Sequence, residues 1–161
     1  MEYSLKVNGI KTDEIWLRNL LKEKNLKANY LRKHHNSFII DEFLLSNGLR
    51  ISIYENSYPP GHPAYSFETM FLENDFIYQE TVSFEIDKFS EHHELVFRTM
   101  YEMVFLILET FKTDGIFYHT SGEEIFFYKD KNYNFNEKYL DLLKNQYDDL
   151  LNGRNYSLFN C

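Results

Sequence analysis

Cysteine is almost absent from this sequence. Its 161 residues include a single one, Cys161, so the chain cannot form an internal disulfide and cannot hold zinc through several thiolates. We interpret that thiol as an exposed side chain without a structural role. Disulfide-stapled and cysteine–zinc scaffolds are therefore excluded.

Long hydrophobic runs are also lacking. The longest apolar stretch, Met103 to Leu108, is far shorter than the roughly 20 residues that a membrane-spanning helix needs. The first residues, MEYSLKVNGIK, have an acidic second position and lack the apolar segment of a secretory signal. We therefore expect a cytoplasmic protein that makes no membrane contact.

The glycine motifs of phosphate-binding loops and nucleophile elbows are missing. The sequence contains no GxGxxG, no GxxxxGK(S/T) and no GxSxG. Nucleotide binding and hydrolysis by a serine nucleophile therefore have no support from local motifs. We expect no cofactor.

Positive charge is scarce beyond residue 50. Residues 1–50 hold nine Lys and Arg against six Asp and Glu, whereas residues 51–161 hold eight against 19, and the overall net charge is −8. A surface of that sign repels the phosphates of nucleic acids and anionic lipids. It favours either solubility alone or a basic partner, and we expect no nucleic-acid partner.

Proline is confined to one segment. All three prolines fall within NSYPPGHPAYSF, residues 56–67, which excludes a regular helix or a central strand and predicts a surface loop. Tyr58 and Tyr65 in this loop are side chains of the kind that anchors protein interfaces. A plain connection between two elements is the simpler interpretation, and both stay open.

The hydrophobic periodicity predicts one α+β domain over residues 1–161, with a mainly antiparallel sheet and helices packed on one face. The predicted strands are 3–7, 49–55, 80–89, 116–120 and 124–129, and the predicted helices are 13–25, 91–111 and 136–151. The element order is thus β-α-β-β-α-β-β-α. The basic stretch 25–37 is interpreted as a loop or a frayed helical extension.

Two adjacent histidines open the most apolar helix, within FSEHHELVFRTMYEMVFLILETF. His92 and His93 would point about 100° apart on a helix, so they cannot bind one ion from one face. The metalloprotease spacing HExxH fails because Phe97 stands where the second histidine is needed. We interpret the stretch as a helix start, with Ser90 as the N-cap, followed by a helix that is buried on most sides.

A hydrolytic metal centre stays open as an alternative, because histidines from different parts of the chain can converge in a fold. The candidates are His34, His35, His62 and His119, together with Glu91 or Glu94. The two carboxylate pairs, Glu123-Glu124 and Asp148-Asp149, are less suited to acid–base chemistry. Adjacent side chains diverge on a strand or helix, and we interpret these pairs as solvated surface charge.

Four stretches carry a family resemblance: MEYSL (1–5), TVSFEIDKF (81–89), RTMYEMVFLILE (98–109) and DGIFYHTSGEEIFFYKD (114–130). With the element order, they resemble the Sit-type immunity proteins, which protect bacteria against contact-delivered polymorphic toxins. The resemblance implies a non-enzymatic cytoplasmic protein that binds and occludes the toxic domain of a cognate effector.

A contact surface for such a toxin domain is expected where aromatic and acidic side chains coincide. The expected residues are Tyr58, Tyr65, Glu73 and Asp75 in the 58–75 loop, with Glu123 and Glu124 at a hairpin turn. The alternatives are a small metal-dependent hydrolase that uses the histidines, and a homo-oligomeric structural module such as a homodimer. The second alternative arises because the apolar helix has more apolar surface than one sheet is expected to cover.

Overall fold

Within the described residues, nine strands form one sheet. The computed structural model describes residues 1–9, 14–23, 31–34, 37–40, 48–89 and 91–160. The strands are β1 (Glu2–Val7), β2 (Leu31–His34), β3 (Ser37–Ile40), β4 (Leu49–Glu55), β5 (Ser66–Phe67), β6 (Phe76–Ile77), β7 (Glu80–Ile86), β8 (Gly115–His119), β9 (Glu124–Lys129), β10 (Asn132–Phe135) and β11 (Asn155–Leu158). The sheet order is β11-β10-β9-β8-β1-β7-β4-β3-β2, and β5 and β6 form a separate ribbon. Neighbouring strands are antiparallel except β10 and β11.

The helices are α1 (Glu14–Glu23), α2 (His93–Phe111) and α3 (Glu137–Tyr147), and a 3₁₀ turn, Asp148–Leu151, follows α3. Asn136 caps α3 because its side chain accepts a hydrogen bond from the Lys138 amide at 3.3 Å. The same side chain donates to the Glu124 carbonyl at 3.0 Å, so the start of α3 is fixed to β9.

The two faces of the sheet differ because side chains alternate along each strand. Leu5 lies opposite Val82 of β7 and Phe117 of β8, and all three are fully buried. Ser4 and Lys6, which flank Leu5 in β1, point to the other face of the sheet. We call the first face the helix face and the second the loop face.

Helix α2 packs on the helix face and is buried on most sides, as predicted. Gly115 at the start of β8 allows this close approach, because a Cβ there would lie 2.5 Å from Leu108 Cδ2. The core that joins α2, α3 and the sheet includes Val96, Met100, Met103, Val104, Phe105, Ile107, Leu108, Leu140 and Leu143.

The polar stripe of α2 is satisfied by the C-terminal part of the chain. Arg98 donates to Glu102 and to Asp149, each at 3.1 Å. Glu109 accepts from Arg154 at 2.7 Å and from the Tyr133 hydroxyl at 2.5 Å. The C-terminal segment and β10 thus pair with the polar stripe of α2.

The predicted fold class is confirmed: the chain is a single α+β domain with a mostly antiparallel sheet and two helices in its core. Strands 49–55 and 124–129 have the predicted bounds, and the last helix with its 3₁₀ turn spans most of the predicted 136–151.

Several boundaries were wrong. The interpretation of 25–37 as a loop or a frayed helical extension fails at β2, and strands β3, β5, β6, β10 and β11 were not predicted. Helix α2 begins at His93 and not at Glu91. An Asx turn, in which Asp87 accepts from the Phe89 amide at 2.9 Å, precedes it. The N-cap of α2 is His92, whose side chain makes no capping hydrogen bond, so the prediction of Ser90 as the N-cap was wrong. Ser90 itself lies outside the described residues.

Candidate functional site

The segment 56–79, which we call the proline loop, joins β4 to β7 and has an internal framework of hydrogen bonds. The Asn56 side chain donates to the carbonyl oxygens of Tyr65 and Tyr78, both at 3.1 Å. The Tyr78 hydroxyl donates to the Ala64 carbonyl at 2.8 Å. These bonds connect distant positions of the loop, so its path is fixed from within.

The inner side of the proline loop covers part of the loop face of the sheet. Phe71 packs against Phe127 of β9 and Phe159, with ring centres 6.4 and 4.9 Å apart. Phe67 stacks on Tyr118 of β8 at 4.6 Å. A second hydrophobic cluster results, which comprises Phe76, Tyr78, Ile116 and Phe127 with Phe67, Phe71, Leu72 and Tyr118 at its edge.

Lys6 lies beneath this loop and is only 9% exposed. Its Nζ donates to Thr81 Oγ1 at 3.1 Å and lies 4.0 Å from the ring centre of Tyr78. Burial lowers the pKa of Lys6 to about 8 and raises the pKa of Tyr118 to about 12, because both charged forms lose hydration. Within the described part of the chain, no carboxylate pairs with this ammonium.

Of the predicted contact residues, Tyr58 and Tyr65 lie on the outer part of the loop. Tyr58 is 49% exposed and stacks on His62, with ring centres 4.2 Å apart and planes 13° apart. Tyr65 is half-buried, and its amide donates to the His62 carbonyl at 2.9 Å. The stack holds the Tyr58 ring in one orientation at the surface.

The predicted acidic residues of the loop are exposed. Asp75 accepts from the Ser66 hydroxyl at 3.0 Å across the β5–β6 ribbon. Glu73 and the neighbouring Glu68 are exposed, and neither has a partner among the residues that the structure describes. These two carboxylates are thus available to a partner.

Glu124, also a predicted contact residue, is occupied within the chain. Its carboxylate accepts from the Thr69 hydroxyl at 2.8 Å and from the Met70 amide at 3.0 Å. It therefore fastens the proline loop to β9. Its interpretation as solvated charge was wrong, because the side chain is half-buried and hydrogen-bonded.

Glu123 points the other way, toward the helix face. It accepts from Lys138 Nζ at 2.8 Å and from the Tyr139 hydroxyl, both on α3. These bonds, chiefly the one from Lys138, lower the pKa of Glu123. The structure therefore brings Glu124 to the loop and separates Glu123 from it, as the divergence of adjacent strand residues predicts.

The outer surface of the proline loop combines exposed apolar side chains with negative charge. Tyr58, Met70 and Ile77 are exposed there, as is Tyr54 on the adjoining strand β4. The sequence has no Lys or Arg between Arg50 and Lys88. Exposed apolar side chains and carboxylates thus belong to one continuous segment of the sequence, which has no lysine or arginine to neutralise its charge.

The histidines that the structure describes do not form a metal site. His62 Nδ1 accepts from the Ala64 amide at 3.0 Å, and a His93 ring nitrogen lies 2.6 Å from the Lys88 carbonyl. His119 lies 2.6 Å from the Ser121 hydroxyl. No group of three or more metal-binding side chains occurs among the described residues, and His35 and the His34 side chain lie outside them.

Sequence reasoning missed the environment of Lys6. In a strand over residues 3–7, Lys6 lies on the face opposite Leu5, where a lysine is ordinarily solvated. Its burial depends on the proline loop, whose path over the sheet has no periodic pattern in the sequence.

Comparison of the chain with protein-family models, curated proteins and solved structures finds no match. In the part of the chain that the structure describes, no helix has both the length and the apolar character needed to span a membrane.

Proposed function

We propose that this protein is an immunity protein that binds a cognate bacterial toxin domain and neutralises it by occlusion, with the outer surface of the proline loop as the contact. The observation that carries the proposal is an exposed Tyr58, fixed by stacking on His62, in a loop whose carboxylates at Glu68 and Glu73 have no partner among the described residues.

The internal framework of the loop favours tight binding. A loop that is ordered before the encounter loses less conformational entropy on binding than a mobile one. The hydrogen bonds of Asn56, Tyr78 and Glu124 supply that order. In this proposal Tyr58 and Tyr65 are the anchors, and Glu124 acts by holding the loop in position.

The charge of the loop favours a basic toxin surface. Opposite charges accelerate the encounter of two proteins and disfavour acidic competitors. Toxin domains that act on nucleic acids need basic surfaces to bind phosphates, so an acidic segment without lysine or arginine is suited to cover such a surface. Glu73 and Asp75 fill this role here, and Glu123 lies outside the contact because it faces α3.

Charge reversal on the loop tests the proposed contact. Glu73→Lys should weaken binding of the toxin domain about tenfold or more, because it places a like charge against a basic surface. Asp141→Lys is the matched control, since Asp141 is an exposed carboxylate on α3 and gives the same change in net charge.

Binding is measured by titration calorimetry with a catalytically disabled toxin domain, and protection by growth when the active toxin is co-expressed. We expect Glu73→Lys to lose protection and Asp141→Lys to keep it. Equal affinities for both variants would remove the loop from the contact, and failure of the unmodified chain to protect would remove the function itself.

A further inference from the structure

A groove of about 250 Å³ lies on the helix face, between α2, α3 and the start of β1. Its lining is mostly aromatic, with Gln146 as a further polar side chain, and Leu142 at its edge is 40% exposed. The aromatic residues are Tyr3, Phe97, Tyr101, Tyr139 and Tyr147. The proline loop covers the opposite face of the sheet, so this groove is separate from the proposed toxin contact.

Two of the four tyrosine hydroxyls in the groove are occupied. The Tyr139 hydroxyl donates to Glu123, and the Tyr147 hydroxyl donates to the Glu94 carbonyl at 3.1 Å. These bonds fix the two rings as walls of the groove.

The other two hydroxyls have no hydrogen-bond partner among the described residues. Tyr101 lines the groove and is only 6% exposed, and Tyr3 is similarly buried. A buried hydroxyl without a partner is costly, and native proteins normally satisfy it with protein, water or ligand. The Tyr101 hydroxyl is thus a donor that a bound molecule can use.

The surroundings of the groove select against anions. Among the described residues that line it, none is a lysine or an arginine. Burial, followed by the nearby carboxylate of Glu123, raises the pKa of Tyr3, because both disfavour a negative charge on its oxygen.

The volume suits a small molecule. A dry cavity of about 150 Å³ already holds benzene, and one water takes about 30 Å³ of liquid volume. A space of 250 Å³ therefore accepts one substituted aromatic ring. Aromatic walls favour a ring that packs edge to face or offset against them.

We propose that this groove binds a small, neutral, aromatic molecule that carries one hydrogen-bond acceptor, and that the acceptor oxygen receives the Tyr101 hydroxyl. The ring of the ligand lies between Phe97, Tyr139 and Tyr147, and Leu142 closes the outer edge. The inference does not rest on the proposed immunity function.

Three probes separate the parts of this inference: acetophenone, with a ring and a carbonyl acceptor; ethylbenzene, with a similar shape and no acceptor; and benzoate, with an anionic acceptor. Binding to the full chain is measured by saturation-transfer NMR and by competition between probes at millimolar concentration. We expect acetophenone to bind most tightly, ethylbenzene less tightly and benzoate not at all.

The Tyr101→Phe variant keeps the ring and removes the donor. It should weaken acetophenone binding about fivefold, the effect of one neutral hydrogen bond, and leave ethylbenzene binding unchanged. Equal losses for both probes, or no loss for acetophenone, would overturn the role of Tyr101.

Leu142→Trp tests the location, since a larger side chain at the edge should block the groove and abolish binding of both neutral probes. Leu95→Trp is the control, because Leu95 is 54% exposed on α2 and does not line the groove. A thermal melt verifies that both variants fold. Absence of acetophenone binding to the unmodified chain, or binding that persists in Leu142→Trp, would overturn the site.

Discussion

Lys6 is a buried charge whose stability effect depends on pH. Its pKa is lowered to about 8 from a usual value of about 10.4, so the folded chain releases this proton earlier than the unfolded chain as pH rises. The cost of burying the ammonium is fully present below pH 8 and is relieved between pH 8 and about 10.4.

A comparison with Lys6→Met isolates this effect. The free energy of unfolding of the unmodified chain, relative to that of Lys6→Met, should rise by about 2 kcal/mol between pH 8 and pH 10. Urea unfolding of both proteins at the two pH values measures it. A difference that stays constant would mean that Lys6 is solvated in the folded protein.

Removal of a hydroxyl should change the free energy of unfolding differently at Tyr133 and at Tyr101. Tyr133→Phe removes the hydrogen bond to Glu109 and should lower the free energy of unfolding by about 1 to 2 kcal/mol, because the acceptor is charged. Tyr101→Phe should leave the stability unchanged or raise it, because its hydroxyl has no partner among the described residues.

Denaturant unfolding of these two variants provides the measurement. A clear loss of stability in Tyr101→Phe would show that its hydroxyl is already satisfied, and this would remove one support of the proposed ligand site.

At the scale of elements, Glu124 connects the proline loop to β9. Glu124→Ala removes the bonds to Thr69 and Met70 and should cost about 1 kcal/mol or more of stability. Its local effect should be faster hydrogen exchange at the Met70 amide, because that amide loses its acceptor.

Glu123→Ala is the matched control for this prediction. Glu123 is adjacent in sequence, yet its bonds go to Lys138 and Tyr139 of α3. The Met70 amide should therefore exchange at the unmodified rate in Glu123→Ala. Equal acceleration in both variants would indicate that the hairpin as a whole, and not Glu124, holds the loop.

Elements whose hydrophobic period extends over many residues could be predicted from the sequence, whereas very short strands could not. Strand β4 alternates cleanly, and α2 has apolar residues at helical spacing over several turns. Strand β10 is only four residues long and contains two asparagines, which are rare in strands, and β11 is wholly exposed at the sheet edge. Both alternate polar and apolar residues, but over four positions only, which is the shortest run for which this period can indicate a strand.

The candidate sites were harder to predict from the sequence than the helices and strands, because they depend on tertiary contacts. Tyr58 was predicted as a contact residue because a tyrosine in a proline-containing loop suggests an interface. The occupied carboxylate of Glu124 and the unpartnered hydroxyl of Tyr101 follow from contacts between segments far apart in sequence. Nothing in the local pattern of residues distinguishes them from solvated or ordinary core side chains.

At the scale of the whole molecule, the sheet separates two surfaces of different chemistry. The loop face is covered by an aromatic, acidic loop without lysine or arginine, whereas the helix face holds a neutral groove lined by tyrosines. Because the two lie on opposite faces, each proposal can fail without affecting the other.

Neutralisation of a toxin domain by binding is tested by titrating the purified chain with the catalytically disabled toxin domain encoded beside it. Growth during co-expression with the active toxin is measured in parallel. We predict tight one-to-one binding and restored growth. The association rate should fall at high salt, because salt screens the attraction between the opposite charges of the two proteins. Absence of binding and of growth would contradict neutralisation by binding.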